Sequence, residues 1–333
     1  LHSFPTRRSS DLKPLTICFS AGNEGTKGLC RPGSAKNIIV TGNSKNYRPK
    51  AVGNEANNIN DVFIGEYATG KNPSSHGNCG DGRIRPHIVA PGQYTASASY
   101  GLSIDRDHKK YISQLLAWSH GTSAASAHTA GACALLTEWW RKKHNGKDPS
   151  PAMLKALIVN AAVDTSFGGH IPNNQQGWGR LNIGNIIESE TNNIYLDQEI
   201  IFTRSDEKKT WQVKVDDPTK PVKITLAWTD PPGGFNTGIE DTTAIVNKLV
   251  LKVLVDGQIY QGNNFQAGWS ISGESKKQCD NLQNVFLLPN LITNAVEISV
   301  IALELWMNGL SGTVYPPQQD FVLVVSNGYL EGC

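Results

Sequence analysis

Ser123 is the residue whose surroundings most plainly suggest chemistry. It stands in Gly121-Thr122-Ser123-Ala124-Ala125-Ser126-Ala127-His128-Thr129-Ala130-Gly131, a run of small side chains that continues through Ala132, Ala134, Leu135 and Leu136 without a charge until Glu138. That pattern predicts a helix buried on most sides, with Ser123 at its N-terminal end. Unpaired backbone N–H groups and the positive end of the helix dipole favour negative charge developing there. An acyl transfer through a serine hydroxyl builds up such a charge on the carbonyl oxygen under attack. The competing reading is a buried Ala/Gly helix whose Ser or Thr does no more than cap it.

A second motif lies upstream. Leu15-Thr16-Ile17-Cys18-Phe19 is a short apolar run that reads as a strand, and it stops in the turn-forming string Ser20-Ala21-Gly22-Asn23-Glu24-Gly25. The two motifs together resemble those of the subtilisin-like serine peptidases, Ala-Gly-Asn-x-Gly followed by Gly-Thr-Ser-Met-Ala-x-Pro-His-x-Ala-Gly. Ala124 replaces the usual Met and Ala127 the usual Pro. The resemblance implies that Ser123 is the nucleophile. It also implies that the Asn23 amide, together with the Ser123 N–H, stabilises the oxyanion of the tetrahedral intermediate.

Further segments resemble the same family: Pro32 to Gly42, containing Ala35-Lys36-Asn37; Ser74-Ser75-His76-Gly77; Asp81 to Gly92; and Gly177-Trp178-Gly179-Arg180-Leu181-Asn182. His76 and His87 stand where the family carries Arg and Asp. Pro149 to Ile158 is predicted as a helix on its own merits, with Ser150 as cap, Pro151 at the first position and apolar residues behind.

The family's order of Asp, then His, then Ser places a general base and its orienting carboxylate before Asn23. Only His2 and Asp11 have the right types there, and no motif surrounds them, so the base and its partner are expected to be missing from this chain. Residues 1–12 resemble one translated frame of a sequencing-library adapter and are expected to be foreign to the fold. An internal substitute is not expected either. His120 belongs to the approach to Ser123. His128 is five residues further along the helix, about 7.5 Å of rise and roughly 140° of rotation away. It is expected to be a structural histidine in the buried helix region. His76, His87 and His108 fall in loops or at strand ends.

The 333 residues are 39% hydrophobic and 18% charged with a net charge of +2, enough apolar material for two cores and no case for nucleic acid or an anionic membrane. No run of about 18 uncharged apolar residues exists, so no membrane span is predicted. Arg141-Lys142-Lys143 reads as a solvated helix end. Cysteines 18, 30, 79, 133, 279 and 333 lack the spacing of a disulfide scaffold or a zinc site. Cys18 and Cys133 read as buried thiols, whereas Cys30 and Cys79, both in loops, form a candidate pair suited to a secreted enzyme.

After about Ile187 the pattern alternates: Val222, Ile224, Leu226 and Trp228 against Lys223, Thr225 and Ala227, then segments at 248–255, 284–288, 295–303 and 320–326. These predict an antiparallel β-sandwich. Thr229 to Gly233, Val246 to Leu251, Tyr260 to Asn263 and Gln319 to Val325 resemble the jelly-roll domain that follows the catalytic domain in one branch of the family. Lys248 and Val250 replace two carboxylates there, so no calcium ion is expected at that position, with Asp280, Asn281 and Asn263 as the alternative ligands to inspect.

The expected fold is therefore α/β: a partial subtilisin-like parallel-sheet domain over 13–190 followed by an all-β jelly-roll sandwich over 191–333. The expected function is that of a serine endopeptidase acting on polypeptides through Ser123 and Asn23, without metal or cofactor, as a secreted monomer that is inactive as written. The alternatives are a non-catalytic relative that keeps the fold as a binding module, and a glycan- or protein-binding β-sandwich carried on an α/β scaffold.

Overall fold

The computed structural model describes residues 14–46, 74–77, 79–93, 95–98, 111–113, 116–166, 168–233, 244–274, 279–292, 295–311 and 315–330. Residues 1–12, His108 and Cys333 lie outside them.

Strands β1 (Cys18–Ser20), β2 (Ile39–Ser44) and β3 (Ile88–Pro91) pair in parallel in the order β1-β2-β3, with Cys18 opposite Ile39 and Thr41 opposite Ile88. All six residues of β2 are buried, as expected of a parallel strand covered on both faces. Strands β4 (Thr95–Ala98), β5 (Tyr111–Ser113) and β6 (Leu116–Ser119) form a small antiparallel sheet that leads into helix α1 (Thr122–Lys143). One face of α1, including Ala125, Thr129, Ala132, Cys133, Leu136 and Trp140, is buried and packs on the parallel sheet. Small side chains permit the close approach, and the Thr41 hydroxyl donates to Thr129 Oγ1 at 3.0 Å across it. The opposite face corrects the expectation of a helix buried on most sides: Ala127, His128, Ala130, Gly131, Ala134 and Leu135 are exposed. Their smallness marks a face that a close neighbour could cover, a property that composition alone cannot tell from burial.

Helix α2 (Pro151–Ala161) is capped as the sequence predicts: Ser150 Oγ accepts the Met153 N–H at 3.0 Å, and Pro151 takes the first position. Every residue from Ala152 to Ala161 is buried, including Lys155 and Asn160. A short helix, α3 (Gly184–Ile187), closes this half.

The remaining strands are β7 (Asn193–Phe202), β8 (Lys208–Val215), β9 (Val222–Ala227), β10 (Lys248–Val255), β11 (Gln258–Gln261), β12 (Phe265–Gln266), β13 (Trp269–Ser270), β14 (Leu282–Leu287), β15 (Ala295–Glu304), β16 (Gln319–Ser326) and β17 (Gly328–Leu330). They build a five-stranded sheet, β11-β10-β15-β8-β17, a four-stranded sheet, β14-β9-β16-β7, and a two-stranded ribbon, β12-β13, whose neighbouring strands all run antiparallel. Ile224, Leu226, Leu251, Ile298, Val300 and Leu323 from both sheets share one apolar core.

The period-2 pattern in β9 has an unexpected partner. Val222, Ile224 and Leu226 face the core between the sheets, while Ala227 joins Val322, Val324, Leu282 and Phe286 in a second core built around Leu157, Ile158 and Trp178. The four-stranded sheet is therefore covered on both faces, and α2 is the layer between it and the parallel sheet. Polar links fasten the same interface. Lys36 forms a buried ion pair with Asp230, Asn37 exchanges two hydrogen bonds with the Asp230 backbone, and Arg85 meets Asp280 at 2.8 Å.

Candidate active site

The carboxyl end of the parallel sheet gathers the two sequence motifs. Leaving β1, Ala21 N–H donates to Thr41 O at 2.9 Å and Gly22 turns at φ 107°. A Cβ on Gly22 would lie 2.5 Å from Cys30 Sγ and 2.9 Å from Ser75 Oγ, so both the backbone angle and the space demand glycine. Ser75 brackets the turn: its N–H donates to Gly22 O at 2.8 Å, and its hydroxyl accepts the Glu24 N–H at 3.0 Å. From the other side, Gly121 at φ 100° ends the approach to α1, and its N–H donates to Gly92 O at 2.8 Å just beyond β3.

Thr122 ties the motifs together. Its N–H donates to Asn23 Oδ1 at 2.9 Å, its hydroxyl donates to the same oxygen at 3.0 Å, and its Oγ1 accepts the Gly22 N–H at 3.2 Å. The backbone N–H can only donate, so the oxygen end of the Asn23 amide must face Thr122, leaving Nδ2 as a donor that Thr122 does not engage. Half-buried Asn23 is thus bonded to the residue that precedes exposed Ser123. Ser123 is the second residue of α1, where the helix itself cannot pair the N–H. The cap of α1 is Gly121, with no side-chain hydrogen bond, and among the described residues Ser123 Oγ has no hydrogen-bond partner. Capping therefore does not account for this serine.

A groove of 950 Å³ opens on Ser123 and runs along the exposed face of α1 past Ala127, His128, Gly131 and Leu135, bounded on the far side by Leu181 and Ile183. His128 corrects the expectation of a buried position. It is exposed, and its Nδ1 donates to Pro91 O at 2.7 Å because that carbonyl lies beside the first turns of the helix. No described histidine is hydrogen-bonded to Ser123. His76 Nδ1 meets Ser74 O at 3.0 Å, His144 Nδ1 meets Trp140 O at 3.0 Å, and His170 pairs with Asp164.

His87 has a structural task. Fully buried, it accepts the Val40 N–H at Nδ1 (2.9 Å) and returns its own N–H to Val40 O (2.9 Å), linking β2 to the start of β3. The donor at Nδ1 fixes the neutral tautomer with the proton on Nε2, an atom left without a partner. Burial first, then the charges of Arg85, Lys155 and Arg83, hold its pKa well below the ordinary histidine value. Lys155, also fully buried, donates to Lys36 O at 2.9 Å and Asn281 Oδ1 at 3.2 Å. Burial, reinforced by Arg85, lowers its pKa to about 7.

Cys30 and Cys79 do not form the expected bridge; both are free thiols. Loop location alone could not place them together. At the position of the replaced carboxylates, Lys248 Nζ pairs with Glu304 at 3.0 Å and Val250 is buried in β10. Asp280 is held by Arg85, and Asn281 by Asn37 and Trp228 O. Sequence reasoning missed Thr122, whose place between the glycine hinge and the nucleophile was its only signal, and it missed the interface role of Lys36, Asn37 and Arg85.

A model of the subtilase family matches residues 6–179, just over half of the chain. This chain belongs to the subtilase family. It is 29% identical over 231 residues to the serine protease/ABC transporter B family protein tagA of Dictyostelium discoideum, a match that covers 61% of this chain and 12% of that protein. The chain thus spans about an eighth of that relative's length. Among solved structures it is similar to the prenylagaramide maturation protease PagA, at 20% identity over 53% of this chain and 51% of that one with a TM-score of 0.34. It is also similar to tripeptidyl peptidase 2, at 13% identity over 94% of this chain and 32% of that one with a TM-score of 0.33.

Proposed function

We propose that this subtilase segment carries the nucleophile and oxyanion site of a serine endopeptidase acting on polypeptides. Ser123 Oγ attacks the scissile carbonyl, Asn23 Nδ2 and the Ser123 N–H receive the developing oxyanion, and water then hydrolyses the acyl-enzyme. The observation that carries this reading is the Thr122 clamp, which holds the Asn23 amide by its oxygen, with Nδ2 left as a donor, beside a non-capping serine at a helix N-terminus. The 950 Å³ groove supplies room for a peptide next to Ser123. Since no described histidine bonds to Ser123, the proposal places the general base and its carboxylate outside the described residues, and on this reading the described residues alone do not complete the catalytic machinery. The end of α3 at Ile187 and the start of β7 at Asn193 support a boundary near 190 between this part and a sandwich of the jelly-roll type.

The test is covalent trapping. A fluorophosphonate probe, applied to a longer form of the chain that includes upstream Asp and His motifs, is expected to modify Ser123 on peptide mapping and to spare the Ser123→Ala variant. Modification elsewhere, or none in a folded longer form, would favour the non-catalytic binding relative.

A further inference from the structure

Cys18 and Cys133 face each other. Their sulfurs lie 3.7 Å apart, in van der Waals contact, although the residues are 115 positions apart in sequence. Cys18 sits on β1, an outer strand of the described parallel sheet. Cys133 is on the face of α1 that packs against that sheet. The two thiols differ in access: Cys133 is buried, while Cys18 is only half-buried and follows Leu15 and Ile17, which are 74% and 45% exposed. They also differ in acidity. The sulfur–sulfur contact lowers the Cys18 pKa against the opposing effect of burial, and the same contact together with burial raises that of Cys133. The accessible sulfur is therefore the better nucleophile, and the buried one is placed behind it.

We propose that Cys18 and Cys133 form a redox-active dithiol, oxidised by a low-molecular-weight disulfide to an internal bridge that fastens β1 to α1. The Cys18 thiolate attacks the small disulfide, forming a mixed disulfide and expelling one small thiolate. Cys133 then attacks the Cys18 sulfur, its proton passes to solvent or to a released thiolate, and the second small thiol leaves. Two protein thiols are oxidised while one external disulfide is reduced to two thiols, so atoms and electrons balance. The bridge joins the two elements that carry the candidate site: Asn23 lies three residues beyond the end of β1, and Ser123 is the second residue of α1. Among the described residues, the hydrogen bonds that hold these two ends together at the site are the three of Thr122.

The test incubates the full chain with oxidised and reduced glutathione at a series of ratios, quenches with an alkylating agent and maps the peptides by mass spectrometry, with thermal unfolding followed in parallel. The expected result is paired loss of alkylation at Cys18 and Cys133, a linked peptide containing both, and a Tm raised by roughly 3–6 °C, all reversed by dithiothreitol. Cys18→Ala and Cys133→Ala should each abolish the Tm response. A Cys18 mixed disulfide that persists beside an alkylatable Cys133, a bridge to another cysteine, or full alkylation of both thiols at every ratio would each overturn the proposal. None of these readouts depends on peptidase activity.

Discussion

Replacing His87 with Asn separates the acid sensitivity of the fold from the rest of its titration. His87 is neutral in the folded chain, since the Val40 N–H occupies Nδ1 and the side chain is fully buried among Arg85, Lys155 and Arg83. In the unfolded chain it regains a pKa near 6.5. Below that value the unfolded state binds one proton more than the folded state, so stability falls as the pH falls, by up to about 1.4 kcal/mol per pH unit. The loss through this single residue accumulates at that rate from pH 6.5 down to the lowered folded value, against the 5–15 kcal/mol that a folded domain commonly has. Asn keeps an acceptor for the Val40 N–H and does not titrate. Urea unfolding followed by circular dichroism at pH 7.5, 6.5, 5.5 and 5.0 should show wild type losing more stability than His87→Asn below pH 6.5, by up to about 1.4 kcal/mol per pH unit, while contributions from carboxylates cancel in the difference. Identical pH profiles for the two proteins would refute the assignment of His87 as a buried neutral histidine.

Lys155→Met should flatten the profile in a different window. Because the folded pKa is about 7 against 10.5 when unfolded, the wild type gains stability as pH rises from about 7 towards 10.5, and the variant should lack that rise in the same unfolding assay. Thr122→Val keeps the shape and the backbone bond to Asn23 but removes the hydroxyl, leaving the Gly22 N–H without its acceptor. A loss of about 1–3 kcal/mol on denaturation is expected. Calcium and chelator should leave the Tm of the full chain unchanged, because Lys248 and Val250 occupy the positions of two carboxylates. A calcium-dependent rise would direct attention to Asp280, Asn281 and Asn263.

Parts of this structure could be read directly from residue chemistry. Ser150 and Pro151 announce the start of α2, and the alternation at 248–255 gives β10 with its observed bounds, because each signal is local. Asn23 and Ser123 fall where the motifs place them, one after a strand and the other at a helix start. What stayed hidden depends on tertiary partners. β7 and β8 have mostly half-buried or exposed side chains, including Lys208, Lys209 and Gln212, and so lack the apolar signature of their neighbours. The second face of β9 carries polar Lys223 and Thr225, yet α2 covers it and Lys223 donates to Ala162 O at 2.9 Å. The exposed side of α1 looked buried because small residues serve equally well in a core and in a groove. The Asn23 orientation depends on Thr122, 99 positions away, which no local pattern connects to it.

The central claim is that Ser123 is the nucleophile and that Asn23 stabilises the oxyanion. Hydrolysis of unfolded casein tests it most directly, comparing the present chain with a longer form that includes upstream Asp and His motifs, each beside Ser123→Ala and Asn23→Ala. The present chain should be inert. The longer form should cleave, lose all Ser123-dependent turnover in Ser123→Ala, and fall about 10²–10³-fold in kcat in Asn23→Ala, the scale known for such a donor in subtilisin itself. Cleavage by the longer form that survives Ser123→Ala, or Ser123-dependent cleavage by the present chain alone, would contradict the account.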